Sequence, residues 1–415
     1  MHRLLRSALG AAAAAVPLVA ATAASGSAAA AAGGKEGEVY AWGSASFGET
    51  GHGMEATAVG VPTRVDVLRG HGVVAVSAPA SGPSSAALTA DGRVYTWGCG
   101  RDARLCGVDA GVQNQLAPRA VEGLPAGDRV VQVALGEYMG VVRTASGGVY
   151  GWGRGAAGHD GGKTGAVGAV AGLSGQGVSA VAAGREHCLA VDGRGRVWAW
   201  GVNTSYAPMT GVKEEVKVPR LVGGLLEGRV VTAVAAGREH SLFLTDDGAV
   251  YAAGTDFFGQ CGQGMATPYV KTPARVGGEL TGKRVVAVVA GENHSLALTA
   301  DGGVYVWGMN KDGALGTGHR NDIGVPRLLD ARLPGRVTAL AAGGGHTLLL
   351  TADPPALYAV GRGRSGQLGR GDSLESMAAY RTEPVLVAAL PPGAVTSIAA
   401  GRDHSLAVVA AAPLS

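Results

Sequence analysis

The chain has 415 residues, 71 of them glycine, with 16% charged and 47% hydrophobic side chains. Its formal net charge is +3, and residues 1–34 contribute Arg3 and Arg6 with no acid; the remaining 33 basic side chains face 32 acidic ones, so no specific nucleic-acid partner is indicated. The four cysteines, Cys99, Cys106, Cys188 and Cys261, fit neither a disulfide framework nor a paired CxxC zinc site. They read as buried thiols, with a Cys99–Cys106 pairing across a loop left open.

The N-terminus, MHRLLRSALGAAAAAVPLVAATAASGSAAAAAGG, joins a basic start to an alanine-rich run and reads as a cleavable targeting segment over 1–34. As a mitochondrial presequence, the arginines lie opposite Leu4 and Leu5 on a short helix. As a secretory signal, 8–23 is the apolar core. The weakly hydrophobic, mostly alanine run argues against a transmembrane anchor, and no span is expected in the mature chain. A mitochondrial location is expected, with secretion as the alternative.

From Lys35 onward one pattern recurs. The stretches AAGREHCLAVDGRGRVWAWG (182–201), AAGREHSLFLTDDGAVYAAG (235–254) and AGENHSLALTADGGVYVWG (290–308) share a histidine before an alternating run, a turn and an aromatic-rich run closing on glycine. The closing glycines stand at 43, 98, 153, 201, 254, 308 and 361, a period of about 50 that suits propeller blades rather than helical solenoids. The alternation and the valine and aromatic content predict half-buried strands. Asp-Gly at 91–92, 247–248 and 301–302 predicts tight hairpin turns with positive φ. Flanking apolar runs bring each unit to about four strands. The chain opens on a lone second half, GEVYAWG, and closes on a lone first half, AAGRDHSLAVV. Residues 35–415 are therefore expected to form one all-β domain, a seven-bladed β-propeller whose ring is closed by pairing of the N- and C-terminal strands. An open ring would leave two unpaired edges.

These units, with GQCGQG at 259–264 and GQLGRG at 366–371, resemble the RCC1-repeat family over about residues 36 to 410. The resemblance implies a seven-bladed propeller. It leaves function wide, since the family includes exchange factors, photoreceptors, organelle assembly factors and bacterial inhibitors. The photoreceptors carry GWRHT where this chain has GREHS and GREHC, so light sensing is not expected.

The candidate chemistry is weighed residue by residue. His187, His240, His294, His346 and His404 each start a strand beside Ser, Cys or Thr. Neighbours along a strand point to opposite faces, so His294 cannot activate Ser295. Histidines on different blades cannot share one zinc. Each imidazole is expected to bond backbone near its own loop, a structural role. Trp42, Trp97, Trp152, Trp200 and Trp307 read as blade packing, and GRGRSG at 361–366 as a turn, since no helix follows to hold a phosphate. No catalytic residue, metal ligand or cofactor is assigned.

What remains is a polar crown before the histidines: Arg185-Glu186, Arg238-Glu239, Glu292-Asn293 and Arg402-Asp403. Equivalent loops open on one face of a propeller, so these residues are expected to ring the channel mouth and bind a protein partner. In exchange-factor relatives such loops contact the small GTPase, and the resemblance implies the same face here. The repeat histidine is replaced by Ser84 and Met139 in two units, and the consensus is lost around 77–84, which leaves drift or a partner as explanations. CGRDARLCG, starting at Cys99, adds Arg101 and Arg104 as candidate anchors. The expectation is a non-enzymatic protein-binding scaffold, an organelle assembly factor acting in mitochondria on ribosomal or respiratory-complex assembly components. The alternatives are a guanine-nucleotide exchange factor for a small GTPase and a secreted propeller inhibitor or binding protein.

Overall fold

A computed structural model describes residues 27–29, 36–54, 56–100, 114–153, 166–202, 215–371, 380–387 and 390–411. The described residues form antiparallel sheets joined in sequence order. In blade 5 the strands Val231–Ala236, His240–Thr245, Val250–Thr255 and Tyr269–Arg275 pair in that order, from the axis outward. The same order recurs in blades 2 to 7, which begin on Val73–Ser77, Val130–Leu135, Ala180–Ala183, Val231–Ala236, Val285–Ala290 and Arg336–Ala342. In blade 3 the short strand Ser27–Ala29, from the segment expected to be cleaved, pairs inside Val130–Leu135 as a fifth strand. Blade 1 takes two strands from each end of the chain, Gly393–Ala400 and His404–Ala411 followed by Gly37–Ala45 and Ala56–Arg64. Its joint runs over seven residue pairs, from Gly37 against Ala410 to Gly43 against His404. The pairing expected between the ends of the chain is present.

Hydrophobic packing follows the same circuit. One cluster joins blade 7 to blade 1 through Leu348, Trp42 and Ala407, and another joins blade 1 to blade 2 through Leu406, Val73 and Trp97. The five repeat tryptophans are completely buried, as expected of blade packing. The outermost strands would be open edges, and six of them carry a proline: Pro62, Pro118, Pro219, Pro273, Pro326 and Pro384. A residue without an N–H cannot donate to a further strand, so these edges resist sheet extension.

The hairpin turns differ in detail from expectation. Only the glycines adopt positive φ, at +83° for Gly248 and +90° for Gly302; the aspartates do not. Asp247 instead accepts a hydrogen bond from the Thr245 hydroxyl at 2.5 Å, and Gly248 N–H donates to the Thr245 carbonyl. The carboxylate holds a type I turn and glycine takes the following left-handed position, a three-residue hairpin rather than a two-residue one.

Candidate functional site

The repeat histidines are completely buried, and their bonds run between blades. His187 Nε2 lies 3.0 Å from Ser241 Oγ, His240 from Ser295 at 3.0 Å, His294 from Thr347 at 3.1 Å, His346 from Ser405 at 2.9 Å, and His404 from Ser85 at 2.8 Å. Each partner belongs to the next blade. This corrects the expected bond to backbone near the histidine's own loop. An imidazole that starts a strand near the axis points across the seam, toward a hydroxyl one position further along the neighbouring strand.

The proton count fixes the state of these pairs. Ser295 Oγ donates to the Gln260 carbonyl at 2.8 Å, Thr347 to Ala314, Ser405 to Gln367 and Ser85 to Glu49. A hydroxyl has one proton, so it accepts from the imidazole, and Nε2 carries the hydrogen. Trp307 Nε1 also donates to the Gln260 carbonyl, Trp42 to Gln367 and Trp97 to Glu49, which fills the second lone pair. At three seams, those after His240, His346 and His404, the result is a complete chain: histidine of one blade to hydroxyl of the next, then hydroxyl and tryptophan together back to a loop carbonyl of the first. Desolvation lowers the imidazole pKa to about 4 at His187, His294 and His404 and about 3 at His240 and His346. The rings stay neutral.

Glycine three positions before each histidine is required by contact. A Cβ on Gly237 would stand 2.2 Å from His240 Cε1, and one on Gly401 would stand 2.0 Å from His404 Cε1. The AAG that opens the motif is the seat of the imidazole.

The crown lies directly above these seams and is paired across them. Arg185 reaches Glu239 at 3.1 Å and Glu137 at 3.4 Å, and Arg238 reaches Glu292 at 2.7 Å. Arg362 holds Asp312 at 2.5 Å and Asp403 at 3.1 Å, and Arg402 lies 3.6 Å from Asp403. Glu186 and Asn293 are half-buried, whereas Arg402 is exposed. Beneath the charges, Arg185 N–H donates to the Arg238 carbonyl, Arg238 to Glu292, Glu292 to Gly343 and Arg402 to Gly82. The crown charges thus pair between neighbouring blades from blade 3 round to blade 1, with Gly82 at the equivalent position in blade 2, and belong in part to the blade contacts. Arg101, Arg104 and Cys106 lie outside the described residues, and the Cys99–Cys106 pairing with them. Cys188 and Cys261 are buried thiols whose pKa burial pushes up.

The irregular stretch at 77–84 has a packing role that the sequence did not suggest. Ser77 pairs with Ala86, nine positions on, where the matching pair of blade 6, Val289 and Leu296, is seven apart. The two extra residues carry the loop into the channel mouth, where Ala78, Ala80 and Ser81 are buried. A Cβ on Gly344 of blade 7 would come within 3.2 Å of the Ala80 carbonyl oxygen. Where histidine is lost, Met139 Sδ instead meets Cys188 Sγ at 3.2 Å.

Blades of four antiparallel strands, sewn by a repeated histidine–hydroxyl–carbonyl chain and closed by both ends of the chain, define a seven-bladed propeller of internal repeats. Residues 109–413 match the RCC1-like domain and residues 36–81 the regulator of chromosome condensation (RCC1) repeat. The chain belongs to the RCC1-like family. It is 35% identical over 321 residues to the human E3 ubiquitin-protein ligase HERC2, covering 77% of this chain and 6% of the ligase. It is 32% identical over 341 residues to the Ultraviolet-B receptor UVR8 of Arabidopsis thaliana, covering 81% of this chain and 74% of the receptor. The Prp20p structure from Saccharomyces cerevisiae superposes with a TM-score of 0.79 at 22% identity, covering 92% of this chain and 93% of Prp20p. The chain spans only a small fraction of the ligase it matches.

Proposed function

We propose that this propeller is a non-catalytic protein-binding scaffold, an assembly factor acting in mitochondria through the loop face that carries the crown. One observation carries the reading: buried positions repeat from blade to blade, whereas the loop face does not. Histidine, hydroxyl and tryptophan each recur in five blades of seven, but the position two before the histidine site is Arg402, Gly82, Glu137, Arg185, Arg238, Glu292 and Gly344 around the seven blades. Packing asks for sameness; a surface that varies over one scaffold is what selects a partner. The histidine–hydroxyl pairs support no hydrolase, because each is buried and the serine or threonine proton is committed to a carbonyl in four of them. The mitochondrial address rests on the arginine-bearing, acid-free N-terminal segment.

A second reading, guanine-nucleotide exchange on a small GTPase, is supported by the likeness in fold to Prp20p, whose structure is described with its binding to Gsp1p and histones. Affinity purification of the tagged full chain from its native source separates the two. Mitochondrial ribosomal or respiratory-complex assembly proteins are expected, and their capture should fall at least fivefold in the Glu186→Arg, Arg402→Glu variant. A GTPase released on addition of guanine nucleotide would overturn the assembly reading. So would capture of a secreted enzyme.

A further inference from the structure

The loops between third and fourth strands open on the same face as the crown, outside it. At one equivalent position in three consecutive blades, directly after Asp256, Asn310 and Gly363, stand Phe257, Lys311 and Arg364, all exposed. Phe257 is 57% exposed and meets Tyr269 edge to face, with ring centroids 5.4 Å apart. Beside it Met265, 46% exposed, holds φ of +61°, a left-handed conformation that side chains rarely adopt. Met265 is pinned there by the outer strand of blade 6: Gly264 N–H donates to the Gly324 carbonyl, and Met265 Cγ packs over Gly259 and Gly324. A strained backbone that presents an apolar side chain to solvent is a mark of function rather than of packing.

Among the described residues the neighbouring blades supply exposed cations here, Lys311, Arg320 and Arg364. Arg320, exposed, has its Cζ 4.0 Å from the centroid of the Tyr380 ring and its Nε donating to the Lys311 carbonyl. The acids of these loops, among the described residues, are turned to other uses: Asp256 is buried, Asp312 holds Arg362, and Asp322 accepts from the Asn310 N–H. Among the described residues no carboxylate pairs with Lys311, Arg320 or Arg364.

We propose that the arc over blades 5 to 7 is a docking surface for an acidic protein segment with an apolar anchor, the anchor seated on Phe257 and Met265 and its carboxylates over Lys311, Arg320 and Arg364. This rests on the reading of the loop face as the binding face and names the chemistry of the partner. An aromatic and a methionine give the contact area, and the cations select the sign of charge.

The test uses the full chain and fluorescein-labelled peptides LFGSEEDEE, SSGSEEDEE and LFGSKKRKK. The first should bind at least tenfold more tightly than either control. Phe257→Ser alone and Lys311→Glu with Arg364→Glu should each reduce that binding at least tenfold, without a lower melting temperature. Met265→Gly, which relieves the left-handed strain, should weaken binding at least fivefold with a melting temperature no lower than that of the parent. Equal binding of the anchored and unanchored acidic peptides, or displacement by inorganic polyphosphate with no dependence on Phe257, would overturn the proposal. If the purified partner is still captured by the Phe257→Ser, Lys311→Glu, Arg364→Glu chain, the arc is refuted and the binding face stands.

Discussion

Acid should unfold this propeller at a pH where most domains are unaffected. Five imidazoles stay neutral in the fold with pKa of about 3 or 4, while the unfolded chain titrates them near 6.5. A depressed histidine pKa means that the unfolded state binds more protons. Stability is therefore full above the unfolded value and lost as pH falls from about 6.5 toward 4. Between pH 7.0 and 5.5 each histidine withdraws about 1.2 kcal/mol, or about 6 kcal/mol for five. Asp256 moves the other way: burial raises its pKa to about 6, so the fold takes up a proton over the same window and regains less than about 1 kcal/mol. A domain with the usual 5–15 kcal/mol loses much or all of its stability by pH 5.5. Urea titrations at pH 8.0, 7.0, 6.0 and 5.5, with potentiometric proton uptake, measure this directly. About four protons should enter on unfolding at pH 5.5, and His240→Gln should reduce the uptake by about one. A urea midpoint unchanged from pH 7.0 to 5.5 would refute the neutral-histidine belt.

Asp256→Asn removes a buried carboxylate whose Oδ2 has no partner, at the position held by Asn310 in blade 6, and should stabilise the protein at pH 7.5 by about 1–2 kcal/mol; the gain should shrink by only about a quarter at pH 6.0 to 5.5, because the unfolded carboxylate, titrating near 3.8, is still ionised there, as chemical denaturation across that range will show. Ser295→Ala strands the His240 Nε2–H and should cost about 1–3 kcal/mol in urea unfolding, with Ser295→Thr restoring most of it. Deleting 399–415 removes one strand of blade 1 and part of another; size-exclusion chromatography should show aggregates instead of a monomer, and a monomer with unchanged melting temperature would contradict the joint at 37–43. Residues 1–30 fused to a fluorescent reporter should carry it into mitochondria, with import lost in Arg3→Glu, Arg6→Glu; delivery of the reporter to the medium would favour secretion.

The architecture was legible because it is periodic. Glycine at 43, 98, 153, 201, 254, 308 and 361 counts the blades, and the half units at the two ends foretell the pairing of Gly43 with His404. The chemistry of the histidine was not legible in the same way. Its partner, Ser295 for His240, lies 55 positions away, one period on, beside a different histidine. Within one repeat His294 and Ser295 look like a pair, and the alternation of a strand correctly rules that pair out. Only the seam between blades shows that each serine belongs to the histidine before it. The loop at 77–84 was read as lost consensus for the same reason: its partner is Gly344, five blades on in sequence and two in space.

That division explains where function can lie in such a chain. Where the repeat uses its histidine, in five blades of seven, it must keep the glycine seat and the hydroxyl of the next blade, because each serves the neighbouring blade as well as its own. Gly237 cannot change without displacing His240, and His240 cannot change without stranding Ser295 and weakening its hold on the Gln260 carbonyl. The loops above are tied down by backbone, through links such as Arg185 N–H to the Arg238 carbonyl, which make no demand on the side chain except at Gly344, where a Cβ would stand 2.5 Å from the Arg402 carbonyl oxygen. Even the crown's ion pairs need only opposite signs, and solvent weakens them where the pair is half exposed. Among the described residues the side chains of Phe257, Lys311 and Arg364, further out, make no hydrogen bond or ion pair, and Phe257 only touches the Tyr269 ring. Their identities are free of the fold, so a propeller of this kind can change its partner without changing its core.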